Sequence, residues 1–163
     1  MAMNDATGGI WLTAGGFERL QKELEHLTLV KRPEIADRIR ASQEHGEFSE
    51  DNNELDEVKF EQAIVESRVA ELKTIFGTAQ ILDTNMIPTD NVGMGSVATL
   101  EDKEFGEKFQ VRVVSTIEAD PNKDLISNES PMGQALWGAS AGEVISFVAP
   151  DGKRSYKLLS ISK

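Results

Sequence analysis

The sequence predicts an α+β protein: an N-terminal antiparallel two-helix coiled-coil hairpin, followed by an α+β domain of antiparallel strands with one short helix. Two observations carry this prediction. Apolar residues recur at steps of three and four through the first half of the chain, and after residue 96 they alternate with other residues. Between these patterns, residues 77–94 follow neither period and are expected to form a linker. We therefore expect two domains, residues 1–83 and residues 84–163.

The first helix of the hairpin is expected to begin after Thr13, whose hydroxyl suits a helix N-cap, and to end before Gly46. Residues 1–11 are expected to be a loose start. The apolar stripe shifts register near Pro33, which also lacks a backbone donor, so a kink is expected near residues 29–33. The stripe consists of Phe17, Leu20, Leu24, Leu27, Ile35 and Ile39.

The second helix shows heptad spacing with one polar member, Gln62, and Gly77 is expected just past its end. Because only a short bend joins the two helices, they are expected to pair antiparallel. At ~1.5 Å per residue, the pair would reach about 40 Å. Its apolar positions are Leu55, Val58, Val65, Val69, Leu72 and Phe76.

The bend between the helices is strongly acidic. Residues 43–57 hold seven Asp or Glu side chains and no Lys or Arg. Like charges at one end of a hairpin repel each other, and they add no apolar burial there. A solvated loop is one explanation, and a site for a cation or for a positive surface is the other.

Two of these carboxylates, Glu47 and Glu50, are spaced to project from the same side of a turn. Mg²⁺ prefers oxygen ligands and is often held by one or two carboxylates while it keeps several waters. Two carboxylates alone form a weak site, so the spacing favours a half-site that other ligands complete. His45 lies beside the bend and is either a surface residue or an orienting group.

The overall composition restricts the partners. The net charge of −11 argues against independent DNA binding and against anionic membranes. With no cysteine, the chain has no disulfide, no thiolate nucleophile and no Cys-based zinc site. No apolar run reaches the ~20 residues of a membrane span, and the N-terminus does not resemble a secretory signal. We therefore expect a cytoplasmic protein, and a monomer.

The second half of the chain reads as a small sheet with one helix. Ser130 suits an N-cap, Pro131 the first helical position, and Gly138 the end of a short helix. A turn at residues 150–152 joins the last two strands. The predicted strands lie around residues 97–100, 109–113, 143–148 and 155–161.

Four blocks of the sequence, in the same order, resemble the Gre family of bacterial transcript-cleavage factors. The resemblance spans roughly residues 10–162 and implies a coiled-coil hairpin with an FKBP-like C-terminal domain. The blocks are G-F-E-R-L-Q-K-E-L-E-H-L (16–27), K-R-P-E-I-A-D-R-I-R (31–40), E-H-G-E-F-S-E (44–50) and I-S-N-E-S-P-M-G-Q-A-L-W-G (126–138).

The resemblance implies binding to bacterial RNA polymerase through its secondary channel. The C-terminal domain would dock at the channel rim, and the hairpin would place Glu47 and Glu50 at the polymerase active centre. There they would help to hold a Mg²⁺ ion and promote hydrolysis of the 3′ end of backtracked RNA, with Ser49 as a positioning residue. Such a protein is a cofactor of the polymerase and not itself an enzyme.

The same resemblance implies further contacts. Lys31 and Arg38, seven residues apart, would touch RNA phosphates, although a solvated face that pairs with nearby Glu residues is the competing interpretation. The candidate polymerase contacts are Asp120, Ser130, Pro131 and Met132, of which Ser130 and Pro131 also suit a helix cap.

Two other functions remain open on the sequence. Glu47 stands where the family usually has Asp, and one extra residue follows Glu50, so the chain could be a non-catalytic regulator that occupies the channel. A holdase or an FKBP-type prolyl isomerase would instead need an aromatic-lined pocket within residues 95–161. No Gly-rich phosphate loop or nucleophile elbow is present in the sequence.

Overall fold

The computed structural model describes residues 10–46 and 53–163. The chain divides into two compact units, Phe17–Thr78 and a second unit formed by Met1–Gly16 with Ala79–Lys163. This division differs from the border drawn from the sequence at residues 83 and 84, because the segments before Phe17 and directly after Thr78 group with the C-terminal residues.

The described residues form four α-helices, two 3₁₀ turns, one π-helical turn and seven strands. The helices are α1 (Ala14–His26), α2 (Arg32–Gly46), α3 (Asn53–Thr78) and α4 (Pro131–Leu136), with the π turn at Leu27–Lys31 and the 3₁₀ turns at Thr84–Met86 and Pro121–Lys123. The strands are β1 (Ile10–Thr13), β2 (Ala79–Leu82), β3 (Val97–Asp102), β4 (Lys108–Val114), β5 (Leu125–Ser127), β6 (Val144–Ala149) and β7 (Gly152–Ser162).

The predicted antiparallel hairpin is confirmed. One apolar stripe of α3 packs against an apolar stripe that runs along α1, the π turn and α2, as helices with 3-4 apolar spacing do. Phe17 and Phe76 meet edge to face, with ring centroids 5.2 Å apart. No helix in the described ranges is long and apolar enough to cross a membrane. The core contains Ile35, Val58, Val65 and Val69, with Leu24, Leu27 and Ile39 packed against it.

Three details of the hairpin differ from the sequence-based expectation. Gln62 is exposed and lies outside the buried stripe. The second helix does not stop before Gly77 but continues to Thr78, and α2 runs through Gly46. Gly77 remains helical because the chain enters β2 directly at Ala79, so no left-handed residue is needed there.

The irregularity expected near residues 29–33 is present as the π-helical turn Leu27–Lys31. The backbone N–H of Arg32 donates to the carbonyl of Leu27, five residues earlier. Pro33 has no N–H to give and its ring crowds the carbonyl four residues before it. The wider π turn accommodates this, and the extra residue advances the apolar stripe from Leu27 to Ile35.

The expected loose start and linker are wrong in part. Residues Ile10–Thr13 form β1, which pairs in parallel with β2 over four residues. Leu12 is fully buried. The segment after β2 also belongs to a core, because Leu82, Ile87 and Met94 form one buried cluster.

The C-terminal residues form a five-stranded sheet in the order β5-β4-β3-β7-β6. All neighbours are antiparallel except β4 and β5, which are parallel. The α+β fold class with one short helix is thus confirmed, and the sheet is mixed at one edge. The helix α4 packs against the core, which contains Val92, Ala98, Leu100, Val111, Val113, Leu136, Ala139, Ile145 and Leu158.

Candidate functional site

The acidic bend joins α2 to α3. Glu47, Ser49 and Glu50, the residues predicted to act at the polymerase centre, lie outside the described residues. The helices on either side are packed close to their ends at the bend. Val58 is 1% exposed and Ser42 is 3% exposed. The packed core of the hairpin therefore extends to within a few residues of the segment that carries the candidate ligands.

Lys31 and Arg38 face the same acidic partner on α3. An Arg38 Nη1 donates to a Glu61 carboxylate oxygen at 2.8 Å, and the Lys31 Nζ lies 3.9 Å from the other oxygen. The hydrogen bond to Glu61, aided by its charge, raises the pKa of Arg38. This arrangement agrees with the interpretation in which both cations pair with nearby Glu residues, and the RNA contact stays a prediction.

Two more ion pairs cross the hairpin. Arg32 forms a two-nitrogen contact with Glu66, with its Nη2 at 2.7 Å from Oε1 and its Nε at 2.8 Å from Oε2. Hydrogen bonding from Arg32 lowers the pKa of the Glu66 carboxyl, and burial opposes that shift. Arg68 makes the same kind of contact with Glu23. Forked contacts of this type add geometric specificity as well as energy to the pairing of the two helices.

The described part of the chain offers no complete metal site. Within residues 10–46 and 53–163, no three His, Asp or Glu side chains are grouped so that they could hold a metal ion.

Asp120 is held at the start of a 3₁₀ turn in the second unit. Its side chain accepts from the backbone N–H of Asn122 at 3.0 Å. Its backbone exchanges hydrogen bonds with Leu125, the first residue of β5. Asp124 takes a left-handed conformation, with φ of 56°, which lets the chain turn back to make this pairing.

Ser130, Pro131 and Met132 form the first turn of α4. The Ser130 hydroxyl accepts from the N–H of Gly133 at 3.1 Å and donates to the carbonyl of Ser127 at 2.6 Å. Pro131 occupies the first helical position and is exposed, while Met132 packs partly into the core. The cap predicted from the sequence is confirmed, and contact with the polymerase stays a prediction.

Both groups of candidate contact residues flank the strand β5. Asp120 is bonded to one end of that strand, and Ser130 to Ser127 at the other end. An exposed polar network continues from Ser127, whose hydroxyl lies 2.7 Å from the hydroxyl of Thr116, and Thr116 in turn donates to Glu129 at 2.9 Å. The three-residue strand thus connects to one segment at each of its ends, and the two segments are ten residues apart in sequence.

Three residues that contribute to these contacts were not predicted from the sequence. Glu61 pairs with both of the cations that are candidates for RNA contact. Nothing in the sequence distinguishes it from the other Glu residues of the predicted helices. Gly133 is buried, and an added Cβ would lie 2.0 Å from the Ser127 carbonyl oxygen. Glu118 is 6% exposed and binds Thr13, which is 105 residues away in sequence. Only the glycine in S-P-M-G gave a signal, since a glycine inside a helix suggests a close backbone approach.

The fold and the site together define an α+β protein in which an acidic segment connects the two arms of a helical hairpin. Family models match both parts of such a protein. The model described as "Transcription elongation factor, N-terminal" matches residues 10–81, and "Transcription elongation factor, GreA/GreB, C-term" matches residues 87–163. The chain belongs to the GreA/GreB family of transcription elongation factors.

Individual relatives agree over nearly the full length. The chain is 41% identical to transcription elongation factor GreA of Clostridium botulinum (strain Hall) over 152 residues, which is 93% of this chain and 94% of that protein. It is 42% identical to GreA of Acetivibrio thermocellus over 93% of this chain and 95% of that one. Among solved structures, GreA factor homolog 1 (Gfh1) of Thermus thermophilus is 33% identical with a TM-score of 0.44, covering 95% of this chain and 99% of that one.

Proposed function

We propose that this chain binds bacterial RNA polymerase through its secondary channel and stimulates Mg²⁺-dependent cleavage of the 3′ end of backtracked RNA. Arrested complexes would then resume transcription. The observation that carries the proposal is the position of the acidic bend: it joins two packed antiparallel helices in a chain of the GreA/GreB family. A stiff hairpin can carry a few oxygen ligands into a channel that a globular unit cannot enter.

The proposed chemistry needs few groups from this chain. Glu47 and Glu50 would complete the coordination of a Mg²⁺ ion that the polymerase holds in the main, and Ser49 would position them. The metal ion would make water a better nucleophile and stabilise charge on the phosphate. The chain would therefore not be an enzyme by itself, since it contributes ligands to the active centre of another protein.

Docking would use the segments around β5. Pro131 is exposed, and Asp120 and Ser130 are half-buried and held by backbone hydrogen bonds, so their positions are fixed before binding. A preformed surface of this kind loses little conformational entropy on association. Lys31 and Arg38 would meet the extruded RNA as an outer contact, provided that Glu61 leaves part of their charge available.

A second candidate function is a non-catalytic regulator that occupies the channel and slows nucleotide addition. Two departures of the bend from the usual family sequence support this second candidate. Glu47 carries one methylene more than the Asp usual in the family, and one extra residue follows Glu50. Displacement of a catalytic group by about 1 Å can reduce a rate by about 10²-fold. Such a regulator would bind the polymerase as well as a cleavage factor does.

The test compares four proteins on halted, backtracked polymerase: wild type, Glu47→Ala, Glu50→Ala and the matched control Glu44→Ala. Glu44 lies in the same acidic stretch, so the control removes an equal charge from that stretch. The proposal predicts short 3′ RNA fragments with wild type and Glu44→Ala, and about 10²-fold slower release with the other two. Equal cleavage by all four would contradict the assignment of Glu47 and Glu50. Slower nucleotide addition without fragments from any of them would establish the non-catalytic regulator.

A further inference from the structure

We propose that the edge strand β6 pairs with β6 of a second copy of this chain, so that two five-stranded sheets join into one. The inference concerns a surface that the proposed function does not use. It rests on the position of β6 in the sheet, on its exposed side chains and on the symmetry of its sequence.

The first observation is the position of β6 at one edge of the sheet. It is the last strand of the sheet, and among the described strands only β7 pairs with it. Alternate backbone N–H and C=O groups of such a strand point away from its neighbour and remain available to a further strand. The opposite edge of the sheet is protected in a usual way, since β5 has only three residues.

The second observation is that β6 itself, between Glu143 and Pro150, carries neither of two residue types that commonly prevent edge pairing, charged residues and proline. Its sequence, V-I-S-F-V-A, contains no charge and no proline. Its pairing with β7 runs without a register shift from Val144 to Ala149. Val148 is 73% exposed and Val144 is 52% exposed, on the same face of the strand. Six uncharged residues, four of which are Val, Ile or Phe with high strand propensity, form a template for another strand at the edge of the sheet.

The third observation selects a second copy as the occupant. If two β6 strands pair antiparallel about Ser146, then Val144 lies opposite Val148 of the second copy, and Ser146 lies opposite itself. On the other face, Ile145 lies opposite Phe147 of the second copy. Each pair therefore joins like with like, apolar with apolar and hydroxyl with hydroxyl, and such cross-strand pairs stabilise a sheet. An isologous contact of this kind closes as a dimer and does not extend into a fibre.

The contact is expected to be weak. One strand pair of six residues buries far less than the ~1,600 Å² of a standard interface, which suggests a dissociation constant on the order of 10⁻⁴ M. Two chains of net charge −11 also repel each other at long range. Added salt screens that repulsion and is expected to strengthen the dimer. The monomer expected from the sequence is then the form present in dilute solution.

The first experiment measures self-association of the full chain by sedimentation from about 10 µM to about 1 mM. The proposal predicts a monomer–dimer equilibrium, weakened at least ~10-fold by Val148→Lys, because the ammonium group would be desolvated against Val144 of the second copy. The matched control is Ile64→Lys, an equal change of charge at a 55% exposed apolar residue of α3. A wild type that stays monomeric throughout, or equal weakening by both variants, would overturn the proposal.

The second experiment tests the register, and the absence of cysteine from the chain makes it direct. With Ser146→Cys, the introduced thiols of two copies would face each other across the pair, within the ~7 Å that a disulfide spans between Cα atoms. With Val144→Cys they would lie roughly 13 Å apart along the strand. Cross-linked dimer is expected from the first variant under mild oxidation and not from the second. Equal cross-linking would contradict the register. Loss of polymerase binding by Val148→Lys, with self-association unchanged, would assign the edge to the polymerase instead.

Discussion

Thr13 donates its backbone N–H and its hydroxyl to the two oxygens of the Glu118 carboxylate, at 2.8 Å and 2.5 Å. The same hydroxyl accepts from the N–H of Gly16, so it caps α1 while it binds Glu118. The Cα of Gly16 lies against that carboxylate, because an added Cβ would be 2.3 Å from its carbon. One buried acid therefore holds β1 and the start of α1 in the second unit.

Replacement of Glu118 by alanine is expected to destabilise the second unit. Hydrogen bonds to a charged group contribute about 1.5–3 kcal/mol, and the Thr13 N–H would be left without this acceptor. Urea unfolding of the full chain measures the loss. Glu143→Ala, which removes an exposed carboxylate from the same unit, should change the midpoint little. Equal effects of the two substitutions would show that the contact with Thr13 adds nothing to stability.

The two helical glycines Gly133 and Gly77 provide a paired prediction. An added methyl at Gly133 would meet the Ser127 carbonyl oxygen, whereas nothing lies within 4 Å of the corresponding position at Gly77. Gly133→Ala should cost about 1–3 kcal/mol and displace the turn that carries Pro131. Gly77→Ala should be neutral or stabilise by up to about 1 kcal/mol. Thermal unfolding compares them, and a stable Gly133→Ala variant would contradict the close approach.

The Arg32–Glu66 contact makes the hairpin sensitive to acid. Its hydrogen bonds lower the pKa of Glu66 in the folded chain below the ordinary value of 4.5. The contact therefore stabilises the hairpin above that pH, and the stabilisation is lost as the pH falls through the folded pKa. Helical circular dichroism in urea, followed from about pH 6 to about pH 3, should show a smaller acid loss for Glu66→Gln than for wild type. Exposed Glu25→Gln is the control, and identical acid profiles for wild type and Glu66→Gln would exclude the contribution.

Arg38 and Arg32 separate the RNA contact from hairpin stability. Both pair with a Glu of α3, but only Arg38 is a candidate for RNA phosphates. Arg38→Gln should lower the cleavage rate at subsaturating factor and reduce the salt dependence by about 0.7 in the log–log slope, as expected for one phosphate contact on a single strand. Arg32→Gln should leave both unchanged. Equal rates for the two variants would assign Arg38 to the ion pair with Glu61 alone.

Much of the hairpin could be predicted because its signals are local. The spacing of apolar residues in α3 fixes its buried face, and Pro33 marks the irregular turn. The exception, Gln62, followed the heptad count but not the geometry. Val58, Val65 and Val69 of the same count are buried as predicted, whereas Gln62 is exposed.

The strands β1 and β2 could not be predicted for a physical reason. Each has four residues, and their parallel partners are 69 positions apart, so no turn residue marks the pairing. The antiparallel strands β6 and β7 are joined by a short turn at Pro150, and the sequence shows them clearly. The candidate site divides in the same way. The helix cap at Ser130 can be predicted from neighbouring residues in the sequence. The hydrogen bonds between Thr13 and Glu118 form only in the completed fold.

The most direct test of the account follows RNA cleavage in backtracked complexes as the Mg²⁺ concentration is varied. If Glu47 and Glu50 complete a metal site, wild type should lower the Mg²⁺ concentration that gives half-maximal cleavage. Glu47→Ala and Glu50→Ala should abolish that shift and still compete with wild type for the polymerase. An unchanged Mg²⁺ dependence with wild type bound, or the same shift with both variants, would contradict the claim that this chain supplies ligands to the catalytic metal.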